Sequence, residues 1–185
     1  MANLDPTLST KGPVNVKVVL RCRPMLGNEK KLMIPSCVKC TRNDITVAGE
    51  FLPQHNDKTF QFDRVFGPET TQKQLYNETV KPIVYRVLDG FKCTVFAYGQ
   101  TGSGKTYSME GDTNRGGAEE AGCIPRAVHT LFDELNSKKG GRFNVTLSHM
   151  EVYLEQPYDL LATEETGKWK SGSHMKKKLK IVENR

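Results

Sequence analysis

Four things are scarce in these 185 residues, and each scarcity excludes a class of function. No apolar run approaches the length that crosses a bilayer, and no secretory leader opens the chain, so the sequence reads as soluble and not exported. Net basic charge is absent from the bulk: residues 168–185 hold seven Lys or Arg against one Glu and so carry the whole net charge of +6. Residues 1–167 then have 20 basic and 20 acidic side chains, which leaves no general field for a polyanion and argues against a nucleic-acid partner. Cysteine is sparse and odd in number, with Cys22, Cys37, Cys40, Cys93 and Cys123, as fits a reducing compartment. Cys37-Val38-Lys39-Cys40 has the spacing of half a zinc site, yet no second Cys or His pair follows at ligand spacing, so metal or redox chemistry is not expected. Internal repeats are also lacking. What is present, 37% hydrophobic and 26% charged residues, suits one globular domain with a core.

Patterning along the chain alternates strand-like and helix-like segments. Val14, Val16, Val18 and Leu20 alternate and lead to Arg21-Cys22-Arg23-Pro24, a strand ending at a proline. Short β-rich runs around Leu32–Cys40, Asp44–Ala48 and Thr59–Phe62 suggest a small hairpin lobe. From Thr71 to Leu88 the apolar residues follow a helical stripe, with Thr70 or Thr71 as cap, Gly90 as stop and Pro82 as a kink or local unwinding. Cys93–Tyr98 is apolar on both faces and is expected to be a strand buried within a parallel sheet. Lys105 should open a helix, Gly111–Gly122 reads as a surface loop, and Pro125 starts a further helix carrying Ala127, Val128, Leu131, Phe132 and Leu135. Arg142–Leu154 alternates as a long strand, and Thr163–Lys178 is a polar, lysine-rich loop.

Between the expected strand and helix lies Gly99-Gln100-Thr101-Gly102-Ser103-Gly104-Lys105-Thr106, which satisfies the Gly-x-x-x-x-Gly-Lys-Thr phosphate-loop pattern. Glycines allow backbone N–H groups to turn inward around phosphates, the helix start adds partial positive charge, and Lys105 supplies a mobile cation. The Thr106 hydroxyl is the expected Mg²⁺ ligand. A plain turn before a helix needs neither Lys nor Thr at those offsets. In small GTPases and nucleoside monophosphate kinases such a loop follows the first strand, whereas here about a hundred residues precede it. No Asn/Thr-Lys-x-Asp guanine motif follows, so ATP is the expected nucleotide.

Phe96-Ala97-Tyr98-Gly99 through Met109-Glu110-Gly111 resembles the phosphate-loop block of kinesin motor heads. Val18–Pro24 resembles their first strand, Phe60-Gln61-Phe62-Asp63-Arg64-Val65-Phe66 their Phe-x-Phe-Asp-x-Val-Phe block, and Gly122–Arg126 with Glu151-Val152-Tyr153 continue the match over Val14 to Leu161. Lys92-Cys93-Thr94 and the long loop after Gly111 resemble the bipolar mitotic (BimC-type) branch. The resemblance implies an α/β P-loop NTPase head with a central, mostly parallel sheet flanked by helices, ATP and Mg²⁺ as ligands, and microtubules as partner of the complete motor, at the cytoskeleton or spindle. It also implies that Arg21, Arg23 and Pro24 form one side of the adenine pocket and Tyr107 the other. Stacking chemistry suits a purine, although the residues alone equally fit a solvated strand end and a tyrosine packed on the sheet.

Two blocks that kinesins use to sense the γ-phosphate and position water, Asn-x-x-Ser-Ser-Arg-Ser-His and Asp-x-Ala-Gly-Ser-Glu, are not found among these residues. Ser171-Gly172-Ser173-His174 echoes the first but lacks its arginine. The expectation is therefore residues 1–13 as a flexible N-terminal segment, 14–161 as the N-terminal part of a motor domain and 162–185 as a lysine-rich end. Such a chain binds ATP but has no catalytic residue to hydrolyse it efficiently, and subunit number is undetermined. The rival expectation is a non-catalytic nucleotide-binding or interaction fragment. Leu154 and Pro157 also depart from the family's Tyr-Asn-Glu-Glu continuation.

Overall fold

The computed structural model describes residues 16–33, 35–53, 55–138, 142–161 and 177–181. The proposed segments 1–13 and most of 162–185, with the Ser171–His174 echo, lie outside them. The chain divides into two compact units, Met1–Lys139 and Gly140–Arg185.

In the first unit, β1 (Val19–Arg21) pairs in parallel with β5 (Arg64–Phe66), Leu20 opposite Val65. Between them come a short helix α1 (Gly27–Lys31) and an antiparallel sheet of β2 (Val38–Cys40), β3 (Asp44–Val47) and β4 (Lys58–Gln61), in the order β2-β3-β4. This is the expected lobe, although Leu32 and Met33 stand outside it. The two sheets are joined at β5, where the Val65 amide donates to Arg42 O at 2.8 Å.

The long helix begins where its sequence requires. Thr71 Oγ1 accepts from the Gln74 amide at 3.1 Å, satisfying a donor that the first turn leaves unpaired. It then runs as α2 (Gln72–Leu75), a π-helical turn (Tyr76–Val80) and α3 (Lys81–Leu88). The widened turn lies just before Pro82, whose ring carries no N–H and crowds the carbonyl of the preceding turn. Glu78 O, four residues earlier, instead accepts from Lys17 Nζ at 3.4 Å. Gly90, at φ +94°, ends the segment.

Helix α4 (Lys105–Met109) is followed by α5 (Thr113–Gly116) and a 3₁₀ turn (Gly117–Glu120), so the expected surface loop has structure of its own, closed by a bridge between Gly111 and Ala121. Helix α6 (Cys123–Ser137) starts two residues before Pro125. Phe66, Leu75, Tyr76, Val80, Val84 and Cys123 form the core, with Val19, Ala127 and Leu131 against it. Tyr76 OH, at the edge of this core, donates to Thr130 Oγ1 at 2.6 Å and so ties the π-helical turn to α6.

Two expected strands differ from what is observed. Cys93–Tyr98 belongs to no strand, and Phe96 and Tyr98 are 78% and 96% exposed. A central strand needs partners on both edges, and the one parallel ladder among the described residues, β1 with β5, does not include this segment. In the second unit, Arg142–Leu154 is a strand only over β6 (Met150–Tyr153), which pairs with β7 (Gln156–Asp159). Leu154 and Glu155, at φ +46° and +61°, form the two-residue turn that reverses the chain, so only four residues acquire a partner. Lys177–Lys178, expected within a loop, adds a short strand β8 beside β7. No helix among the described residues is long and apolar enough to cross a membrane.

Candidate functional site: a phosphate loop beside an arginine-tyrosine wall

The phosphate loop is a run of turns between Cys93–Tyr98 and α4. A Cβ on Gly99 would lie 2.6 Å from Ser103 Oγ and 3.2 Å from Ser103 Cβ, so a larger residue there would force Ser103 to shift. Gly104 precedes the helix in the left-handed region at φ +95°, where a larger residue is strained. With the loop so shaped, Lys105 Nζ donates to Gly99 O at 2.7 Å and Gln100 O at 2.9 Å. Its ammonium is thus held over the loop by weakly charged carbonyl acceptors that a phosphate oxygen can replace. The Ser103 amide donates to Gln100 O at 3.2 Å, while Thr101, Gly102 and Thr106 are solvent-exposed. A glycine cradle, a mobile ammonium and an exposed hydroxyl on the first helical turn constitute a donor set that fits a phosphate chain with Mg²⁺.

The end of β1 lies alongside. A Cβ built on Gly104 would sit 4.0 Å from Arg23 Cβ, which places the strand end next to the loop. Arg23 meets Glu29 in a two-pronged ion pair, Nη1 to Oε2 at 2.8 Å and Nη2 to Oε1 at 2.6 Å. Glu29 also accepts from the Leu26 amide at 2.7 Å. Arg23 first, and that amide second, hold the Glu29 carboxyl down to about 2. Pro24 is exposed beside this pair.

Arg21 is held more tightly. Its Nη1 donates to Gln72 Oε1 at 2.8 Å and Ser108 Oγ at 3.0 Å, and Nη2 donates to Thr70 O at 3.2 Å. The guanidinium lies 5.0 Å from the centre of the Tyr107 ring, within cation–π range. Burial lowers its pKa, opposed mainly by Tyr107. Tyr107 in turn gives its hydroxyl to the Glu120 carboxylate, which raises the phenol's pKa because an ionised phenolate would lose that bond and meet a like charge. Arg21 and Tyr107 are therefore stacked on one another, and Glu120 of the inserted segment clamps the stack.

The sequence offers Thr70 only as a helix cap and gives no sign of Gln72, Ser108, Glu29 or Glu120 at the site. Only the Glu29 contact had a local signal, a carboxylate three residues after a helix start. Among the cysteines, burial and then neighbouring Cys40 push the Cys22 thiol up to about 11, and no group of three metal-binding side chains occurs among the described residues. A cavity of about 550 Å³, lined in part by Arg42, Arg64, Gly67 and Gln74, includes none of Gly99–Thr106. Chemistry, not concavity, marks the site.

A glycine turn that leads into a helix, with a lysine folded over it, has the pattern of the P-loop class. A family model for the kinesin motor domain matches residues 21–185. The chain is 46% identical over 158 residues to kinesin-like protein KIN-5A of Arabidopsis thaliana, covering 83% of this chain and 15% of that protein. It is 44% identical over 161 residues to KIN-5D of the same plant, covering 84% and 15%. Against KIN-5C of Nicotiana tabacum the figures are 42% over 180 residues, 92% and 18%. The chain belongs to the kinesin motor-domain family, within which it is similar to kinesin-5, the BimC-type branch. It spans less than a fifth of the length of these relatives.

Proposed function

We propose that this chain is the ATP-binding part of a microtubule-based motor of the kinesin family, acting at the cytoskeleton and in the mitotic spindle. The observation that carries the reading is Lys105 held over the Gly99–Thr106 turn by two backbone carbonyls. Bound Mg²⁺-ATP supplies the phosphoanhydride whose cleavage drives such a motor. The chain's own residues bind and orient it. Backbone amides of Gly99, Gln100, Thr101, Gly102, Ser103 and Gly104 would hold the phosphates, Lys105 would exchange its carbonyl acceptors for phosphate oxygens, and Thr106 would offer its hydroxyl to Mg²⁺.

For the base, the flat side of Arg23 and Pro24 forms one face of the pocket. The Arg21–Tyr107 stack forms the other as a unit, because its 5.0 Å separation is too small to admit a purine between the two groups. In the complete head, Cys93–Tyr98 takes its place as the middle strand of a mostly parallel sheet, paired by strands of the remaining motor sequence, and tubulin is the partner. The reading needs neither nucleic acid nor membrane. Hydrolysis by these 185 residues alone is expected to be negligible, since they contain neither γ-phosphate-sensing block.

Equilibrium titration with Mg²⁺-ATP tests the reading, with Lys105→Ala as the control. Loss of a charge-assisted contact to phosphate should weaken binding about tenfold or more. Equal affinity in the two proteins would remove Gly99–Thr106 as the site.

A further inference from the structure

Gln72 has a position that contact with phosphate does not explain. It opens α2, is 1% exposed, and uses both ends of its carboxamide. Oε1 accepts from Arg21 Nη1 at 2.8 Å, and Nε2 donates to the carbonyl oxygen of Tyr107 at 2.5 Å. An arginine offers only donors and a carbonyl only acceptors, so a single orientation of the amide satisfies both. The side chain thereby connects the end of β1 to the helix that follows the phosphate loop.

A buried glutamine can serve helix packing alone, but this helix start is already capped by Thr71. Both of Gln72's partners instead belong to the Arg21–Tyr107 stack. Around that stack every restraint is directional: Thr70 O and Ser108 Oγ hold the guanidinium, and Glu120 holds the phenol. Gln72 alone among the described residues grips Arg21 and Tyr107 at once. Removing it leaves a half-buried guanidinium and a carbonyl each short of a partner, at the face against which a base would stack.

We propose that Gln72 is a positioning residue for nucleobase recognition, fixing Arg21 and Tyr107 as one rigid wall beside the phosphate loop. This rests on the nucleotide-binding reading above and adds a division of labour within it. Phosphate binding is carried by Gly99–Thr106, and base binding depends on the Gln72 bridge. A ligand with phosphates and no base does not sense Gln72.

Calorimetric titration of the whole chain with Mg²⁺-ATP and, separately, with Mg²⁺-tripolyphosphate tests this in Gln72→Met and Gln72→Glu. Gln72→Met keeps the side-chain volume, and should weaken ATP about tenfold while leaving tripolyphosphate within about twofold. Gln72→Glu retains an acceptor for Arg21 and should recover part of the loss. ATP binding by Gln72→Met equal to that of the unsubstituted chain would overturn the proposal, as would a parallel loss of both ligands, the mark of a purely structural role. Lys105→Ala separates the two levels: it should weaken both ligands alike, and its failure to do so defeats the nucleotide reading itself, whatever Gln72 does.

Discussion

Two stretches on either side of the phosphate loop behave oppositely. Tyr107, just after it, is fixed by Gln72, Arg21 and Glu120, whereas Tyr98, just before it, is 96% exposed and its segment has no ladder partner. Cys93–Tyr98 is the more apolar of the two stretches, yet it is the exposed one. The difference is where their partners lie in the chain. The wall around Tyr107 draws on residues 21, 70, 72, 108 and 120, all within the described first unit. A middle strand over Cys93–Tyr98 needs two neighbouring strands, and no strand among the described residues pairs with it. The loop between the two stretches keeps its shape because that shape is set by glycine backbone angles and short-range bonds rather than by the sheet.

The comparison breaks most severely at the core that supports the wall. Phe66 is 1% exposed and its carbonyl accepts from the Cys22 amide at 2.8 Å, so it anchors β5 directly beneath the strand end that carries Arg21 and Arg23. Phe66→Ala should cost about 3–5 kcal/mol of unfolding free energy, measured by urea denaturation. A loss below about 1 kcal/mol would show that this core is loosely packed and that the wall is not held from below.

Gly104→Ala is expected to have a smaller effect with a sharper location. Nothing but Arg23 Cβ, at 4.0 Å, meets the added methyl, so the cost is one of backbone angle, about 1–2 kcal/mol for an alanine held at φ +95°. ATP binding should fall with it, since relief of the strain rotates the amide at the helix start away from the phosphates. Stability and affinity both unchanged would mean that the left-handed residue does not set the loop's shape.

These effects follow how far each feature could be read in the sequence. The loop, the Thr71 cap, the Pro82 disturbance and the β2-β3-β4 lobe were legible because each depends on residues a few positions apart: glycine at a special φ, a hydroxyl reaching the next turn, a missing N–H, alternation between turn residues. The Leu154–Glu155 reversal was not, because two consecutive positive φ values at Leu and Glu run against local preference. Nor was the wall. Arg21, Gln72 and Tyr107 are separated by 51 and 35 positions, and nothing in the local pattern pairs a strand-end arginine with a helix-start glutamine. For Cys93–Tyr98 the composition pointed to a buried strand that is not observed among the described residues, because pairing is a property of two strands and composition describes one.

That distinction sets the smallest expected effect. Phe96 is as large as Phe66 but 78% exposed, so Phe96→Ala removes little area that folding had taken from water. The change in unfolding free energy should stay within about 0.5 kcal/mol, against the several of Phe66→Ala. The same substitution in a longer chain that supplies the neighbouring strands should behave as a core deletion and cost about 3–5 kcal/mol. A large loss already in the 185-residue chain would mean that Phe96 is packed there. A negligible loss in both would mean that Cys93–Tyr98 is not a central strand of the complete head, and the segment leading into the phosphate loop would need a different structural role.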